Sequence, residues 1–146
     1  MMENAILVWF RRDLRDFDHA ALCAALRRGR RVYCAFVFDR EILDALEQRC
    51  DRRVEFIRES LVELDLALRV RGGALIVRHG WPVSEIPGLA KALGVTAVFT
   101  NRDYEPQAKK RDAAVSAALQ ADGVAFASFK DQALFDGDEV LTQAGR

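Results

Sequence analysis

The chain has 146 residues, of which 51% are hydrophobic, with 22 Lys and Arg balanced by 22 Asp and Glu. Such a length fits one domain with a sizeable core and excludes an intrinsically disordered chain. A formal net charge of zero argues against a dedicated electrostatic nucleic-acid binder, which needs a basic surplus, but leaves room for a local basic patch.

Ala5–Phe10 (AILVWF) reads as a first strand. It leads into the charged run Arg11-Arg12-Asp13-Leu14-Arg15-Asp16, where Asp13 or Asp16 could pair Arg15 or Arg12 and hold the loop. Asp18–Arg28 is an Ala/Leu-rich helix, with Asp18 expected as its N-cap and Gly29 as its stop. Val32–Phe38 is a second strand, ending at Asp39 and Arg40. In Asp51–Val70 the residues Val54, Ile57, Leu61, Leu64 and Leu68 recur in steps of 3 and 4, one helical stripe closed by Gly72-Gly73. Ala74–His79 is a third strand. Its end carries His79, expected as a hydrogen-bonded structural residue, and Trp81, expected to be partly buried at the turn. Val83–Leu93 is a helix between Pro82 and Gly94. Ala97–Thr100 is a fourth strand, Glu105–Ala121 a helix with Pro106 in its first turn, and Val124–Phe129 a fifth strand.

The strands are continuous apolar runs rather than alternating ones, which marks sheets covered on both faces. The expected fold is α/β, a five-stranded parallel Rossmann-like doubly wound sheet with helices on both faces and right-handed crossovers. In such sheets ligands sit beyond the carboxyl ends of the strands, near the switch point of strand order. The rule selects the segments after Phe10, Phe38, His79, Thr100 and Phe129. None carries GxGxxG or a P-loop, and GxSxG and HExxH are missing from the chain. With two histidines, and with Cys23, Cys34 and Cys50 outside any CxxC spacing, no metal cluster is expected; all three cysteines read as inert. No apolar run reaches the roughly 20 residues that span a bilayer, no secretory signal is recognised, and a cytoplasmic location is expected. No self-sufficient catalytic constellation is found.

The order of residues carries a further signal. Trp9-Phe10-Arg11-Arg12-Asp13-Leu14-Arg15, followed by Asp18-His19-Ala20-Ala21-Leu22, resembles the opening of the photolyase/cryptochrome family, W-[FH]-R-x-D-L-R then x-D-N-x-A-L. His19 stands where the family usually has Asn, a departure expected to weaken a local cap. Phe36–Asp39 resembles the family's second-strand end, Arg52–Leu64 its R-x-x-F-L-x-x-S-L-x-x-L helix, and Asn101–Asp112 its N-x-x-Y-E-P-x-x-x-x-R-D element.

The resemblance implies the N-terminal α/β domain of a deoxyribodipyrimidine photolyase. That domain holds an antenna chromophore that collects light for FAD. The FAD would lie in a C-terminal helical domain that this chain lacks, so the fragment alone would not be catalytic. Residues 1–130 would be the antenna domain and 131–146 the start of a linker toward the FAD domain. The full-length protein would act on damaged DNA, with the FAD domain as partner in cis and no membrane contact; the fragment would not bind DNA alone. Carried over by position, the antenna-binding residues would be Arg12, Phe36, Val37, Phe38, Asp39, Asn101, Asp103 and Glu105. Phe36 and Phe38 would give apolar walls on one face, Asp103 would accept from a ring N–H, and Arg12 would face a ring oxygen. The folate-type members have an Asn-Glu pair where this chain has Gln107-Ala108. A deazaflavin or flavin antenna is therefore favoured over methenyltetrahydrofolate. The alternatives are the antenna domain of a cryptochrome photoreceptor, or a nucleotide-binding α/β domain of the universal-stress or electron-transfer-flavoprotein type, which the absent Gly-rich loop disfavours.

Overall fold

The computed structural model describes residues 3–11, 13–17, 19–40 and 52–130. Arg12, Asp18, Cys50 and the proposed linker 131–146 lie outside them. The elements run β1 (Glu3–Phe10), α1 (Ala20–Arg28), β2 (Gly29–Asp39), α2 (Arg52–Val70), β3 (Leu75–Gly80), α3 (Pro82–Leu93), β4 (Ala97–Asn101), α4 (Pro106–Ala121) and β5 (Ala125–Phe129). All strand pairs are parallel and the sheet order is β3-β2-β1-β4-β5. This is the expected doubly wound α/β sheet, with its switch point between β1 and β4.

Side-chain alternation divides the strands between two cores. Ile6, Val8, Phe10, Cys34, Phe36, Phe38 and Phe99 face α1 and α2. Leu7, Trp9, Ala35, Val37 and Val98 face α3 and α4. The α2 stripe foreseen in the sequence is the buried one: Val54, Leu61, Leu64 and Leu68 are buried and Ile57 packs against them. The central strands are covered on both sides, so they need apolar residues at odd and even positions alike. Among the described residues, no helix is long and apolar enough to cross a membrane.

Local chemistry moves two boundaries. β2 starts at Gly29 rather than Val32, because Gly29 caps α1 and enters the sheet at once. The cap at the start of α1 is His19, not Asp18; its side chain accepts from Leu22 N. At the end of β3, His79 is exposed and stacks on Phe38 with centroids 4.7 Å apart, rather than acting as a hydrogen-bonded strut. Trp81 is the N-cap residue of α3 and is 50% exposed.

Burial pushes the Cys34 thiol up to about 12, whereas Cys23 is exposed. The thiolate is the reactive form. Treatment of the folded chain with a maleimide at pH 8, followed by peptide mass mapping, is expected to label Cys23 and spare Cys34.

Candidate functional site at the strand ends

β1 and β4 part company at the switch point, and a polar network fills the gap. Asn101, the last residue of β4, is buried. Its Oδ1 accepts from Ala21 N at 2.9 Å, and its Nδ2 donates to Asp13 Oδ2 at 2.8 Å. Asp13 Oδ1 accepts from Arg11 N at 2.9 Å. His19, 1% exposed, accepts from Leu22 N through Nδ1 at 3.1 Å. In a neutral ring the proton is then on Nε2. That atom lies 3.0 Å from Asp13 Oδ2, close but poorly aligned for a hydrogen bond. His19 therefore retains the capping function the resemblance led us to expect weakened. Two orphan N–H groups at the start of α1 are satisfied by side chains from different parts of the chain.

A second cluster adjoins the first on the α4 side. Arg11 donates to Asn101 O, and through its other terminal nitrogen to Asp112 Oδ1 at 2.5 Å. Its guanidinium stands 4.8 Å from the centroid of the Trp9 ring, and that of Arg111 stands 5.5 Å from it. Arg111 lies among three carboxylates without closing on any of them: Asp112 at 3.6 Å, Asp39 at 3.7 Å and Asp103 at 4.0 Å. Two buried N–H donors here, Trp9 Nε1 and Arg111 Nε, have no hydrogen-bond partner among the described residues. Unpaired buried donors are uncommon in native structures and mark places where an acceptor belongs.

The residues singled out in the sequence divide accordingly. Asp39 and Asp103 meet around Arg111, at the ends of β2 and just past β4. Asp103 Oδ1 also accepts from Glu105 N at 3.1 Å, which shapes the approach to α4. Glu105 is exposed at the N-cap of α4 and makes no side-chain capping bond. Phe36 and Phe38 do share a face, 5.0 Å apart and edge-on, but both are buried beneath α1 and α2. Val37 faces the opposite core. Asn101 is engaged in the structural network. The loop pairings differ from expectation: Asp13 engages Asn101 and His19, and Asp16 pairs Arg71 at 2.8 Å. Sequence reasoning did not single out Trp9 and Arg111 for this strand-end cluster. The signal for Arg111 was its place in the Arg111-Asp112 element, which spacing alone did not bring near Asp39.

Comparison with known proteins gives the arrangement a lineage. A family model for DNA photolyase matches residues 6–146. The chain belongs to the DNA photolyase family. It is 35% identical to a deoxyribodipyrimidine photo-lyase of Synechococcus sp. over 99% of its own length, and 38% identical to one of Halobacterium salinarum over 95%. It spans only 30% of the length of each of those relatives. A cryptochrome DASH of Natronomonas pharaonis is 32% identical. Among solved structures, a class III photolyase of Agrobacterium tumefaciens superposes with a TM-score of 0.76 at 27% identity, covering 89% of this chain and 26% of that one. The photolyase of Sulfolobus tokodaii, described with two FAD molecules and a novel light-harvesting cofactor, superposes at 0.74 with 28% identity, covering 90% and 32%.

Two outcomes test the network. Asn101→Ala strands the Ala21 N–H and one oxygen of Asp13, at roughly 1–3 kcal/mol per buried group. A clear fall in the denaturant midpoint is expected, without loss of helix content by circular dichroism. The second concerns pH. Burial raises the Asp13 carboxyl pKa, but the His19 contact and the Arg11 N–H outweigh it and hold the group below its ordinary value of 3.8. A depressed carboxyl stabilises the fold fully above its unfolded value and loses that contribution as pH falls through the folded one. Stability measured by urea titration is expected to drop below about pH 4, and less steeply in Asp13→Asn.

Proposed function

We propose that this chain is the light-collecting domain of a deoxyribodipyrimidine photo-lyase, with the strand-end cluster as its antenna site. The single observation that carries the reading is the conjunction, inside a family match over residues 6–146, of two unpaired buried donors with two carboxylates at the switch point. A planar ring with an imide edge offers carbonyl oxygens to donors and a ring N–H to carboxylates. The donor set therefore fits a flavin or deazaflavin. Asp39 and Asp103 would take the ring N–H, and Arg111 and Trp9 would serve its oxygens. Phe36, Val37 and Phe38 would stiffen the strand end, Glu105 would border the opening, and Asn101 would fix the β4 exit. Arg12, carried over by position, lies outside the described residues. The bound pigment would absorb blue light; the residues named here would orient it and keep water from its edge. The Gln107 and Ala108 positions support the same choice: Ala108 is buried on α4 and Gln107 bears no charge.

In the complete protein, FAD in a further helical domain would receive the excitation and split pyrimidine dimers in damaged DNA. Residues 1–130 form the antenna domain in this reading and 131–146 lead to the FAD domain, in a cytoplasmic protein. The similarity to cryptochromes keeps a photoreceptor as the second reading. The complete protein, reduced and illuminated with blue light, is expected to restore dimer-containing oligonucleotides; intact dimers would favour the photoreceptor. For the antenna, the chain is mixed with a deazaflavin, flavin mononucleotide or methenyltetrahydrofolate and its absorption recorded after gel filtration. Retention of a flavin-type pigment, reduced at least tenfold in Arg111→Gln, is expected; preference for the folate would overturn the assignment.

A further inference from the structure

The parallel sheet has two outer strands, β3 and β5, each hydrogen-bonded to one neighbour among the described residues. A free strand edge is a template for pairing, and proteins commonly blunt it with charged side chains or proline. The two edges differ in this respect. β3 (LIVRHG) carries Arg78 and His79, both exposed. β5 (AFASF) has no charged residue and no proline.

The register shows which backbone groups of β5 are spare. Ala125 N donates to Thr96 O at 3.1 Å, and Phe129 O accepts from Arg102 N at 2.7 Å. Residues 125, 127 and 129 therefore turn their amides toward β4, and Phe126 and Ser128 turn theirs to the outer side. Side chains alternate between the faces of the sheet. Ala127 and Phe129 pack toward the core under α1 and α2, and Phe126 toward that under α3 and α4.

We infer that β5 pairs with β5 of a second copy of this chain, antiparallel about a two-fold axis at Ala127, and continues the sheet through a dimer. In this register Phe126 stands opposite Ser128 of the second copy, and Ser128 opposite its Phe126. Each pair exchanges both N–H···O bonds, so every amide that the two edges turn outward within β5 finds a partner. Phe129 stands opposite Ala125, and Ala127 opposite its own counterpart, so each phenylalanine faces a small side chain. Charge fixes the direction. Asp122 is exposed just before β5, and Lys130 follows it directly. Antiparallel pairing brings Lys130 of each copy to the end where Asp122 of the other stands, whereas parallel pairing sets like charges together. A contact of one short strand per copy buries little area, so the dimer is weak and concentration-dependent. β5 contributes no residue to the strand-end cluster around Arg111, and the inference does not rest on the antenna reading.

Sedimentation equilibrium of the chain at rising concentration is expected to show monomer passing into dimer. Amide hydrogen exchange, read by NMR at both ends of that range, is expected to find Phe126 and Ser128 unprotected in the monomer and protected in the dimer. Ser128→Pro removes an outward N–H that β4 does not use, at an exposed position. This variant is expected to fold by circular dichroism and to remain monomeric throughout. If it does not fold, Ser128→Lys, which puts a charge on the edge, is expected to raise the dissociation constant about tenfold. Asp122→Lys is expected to raise it about fivefold, and Asp122→Lys/Lys130→Asp to restore it. Monomer at every concentration would overturn the inference. So would protection of Phe126 and Ser128 in the monomer, the mark of another segment of the chain on that edge, or a dimer as tight in the folded Ser128 variant as in the unaltered chain.

Discussion

The carboxylate of Asp13 holds three separately folded pieces of the chain in one place. It accepts from the backbone of Arg11 at the exit of β1 and from Asn101 at the exit of β4, and it lies against His19 at the start of α1. At a switch point of strand order, neighbouring strands send their chains to opposite faces of the sheet, and backbone groups there lose their ladder partners. Something must satisfy them. Here a single buried acid does so with a histidine and an asparagine, and the loop after β1 takes its shape from that demand.

The candidate site inherits its geometry from this arrangement. Asn101 and Asp112 fix Arg11, which stands over Trp9. Trp9 is on the α4 face of the sheet, so Arg111 of α4 reaches over the same ring. The guanidinium of Arg11 meets Asp112, and that of Arg111 meets Asp39, Asp103 and Asp112, two positive charges interleaved with three negative ones. Such a site favours a neutral ligand with both donors and acceptors over a simple anion. A network of structural hydrogen bonds thus stands beneath a cluster in which Trp9 Nε1 and Arg111 Nε have no hydrogen-bond partner among the described residues.

The two ends of the sheet have different chemistry. At the carboxyl ends, cations and carboxylates interleave and most polar groups engage one another. At the amino end of β2, Arg27, Arg28, Arg30 and Arg31 are exposed around Gly29, which lies in register with Glu3 of β1. Net charge, a sum over the chain, conceals this separation, although five consecutive residues display it.

The sequence alone determined the fold class, because apolar runs of strand length alternating with amphipathic helices leave few arrangements other than a parallel sheet covered on both faces. It also carried the family, through the order Trp9–Leu22 and Asn101–Asp112, and placed Asp39 and Asp103 at strand ends. Only the tertiary structure decided which polar groups were already engaged. Asn101 reads in sequence as a ligand-facing amide, yet its two polar atoms bond Ala21 and Asp13, far away along the chain. His19 reads as a departure from the family pattern, yet an imidazole nitrogen caps α1 as an amide oxygen would. Phe36 and Phe38 share a face as alternation requires, but which helices cover that face depends on crossovers the strand does not encode. Arg111 joins the strand-end cluster because α4 lies against Trp9. Periodicity is a local property, written in neighbouring residues; satisfaction of a buried polar group depends on partners from distant segments, which only folding brings within reach.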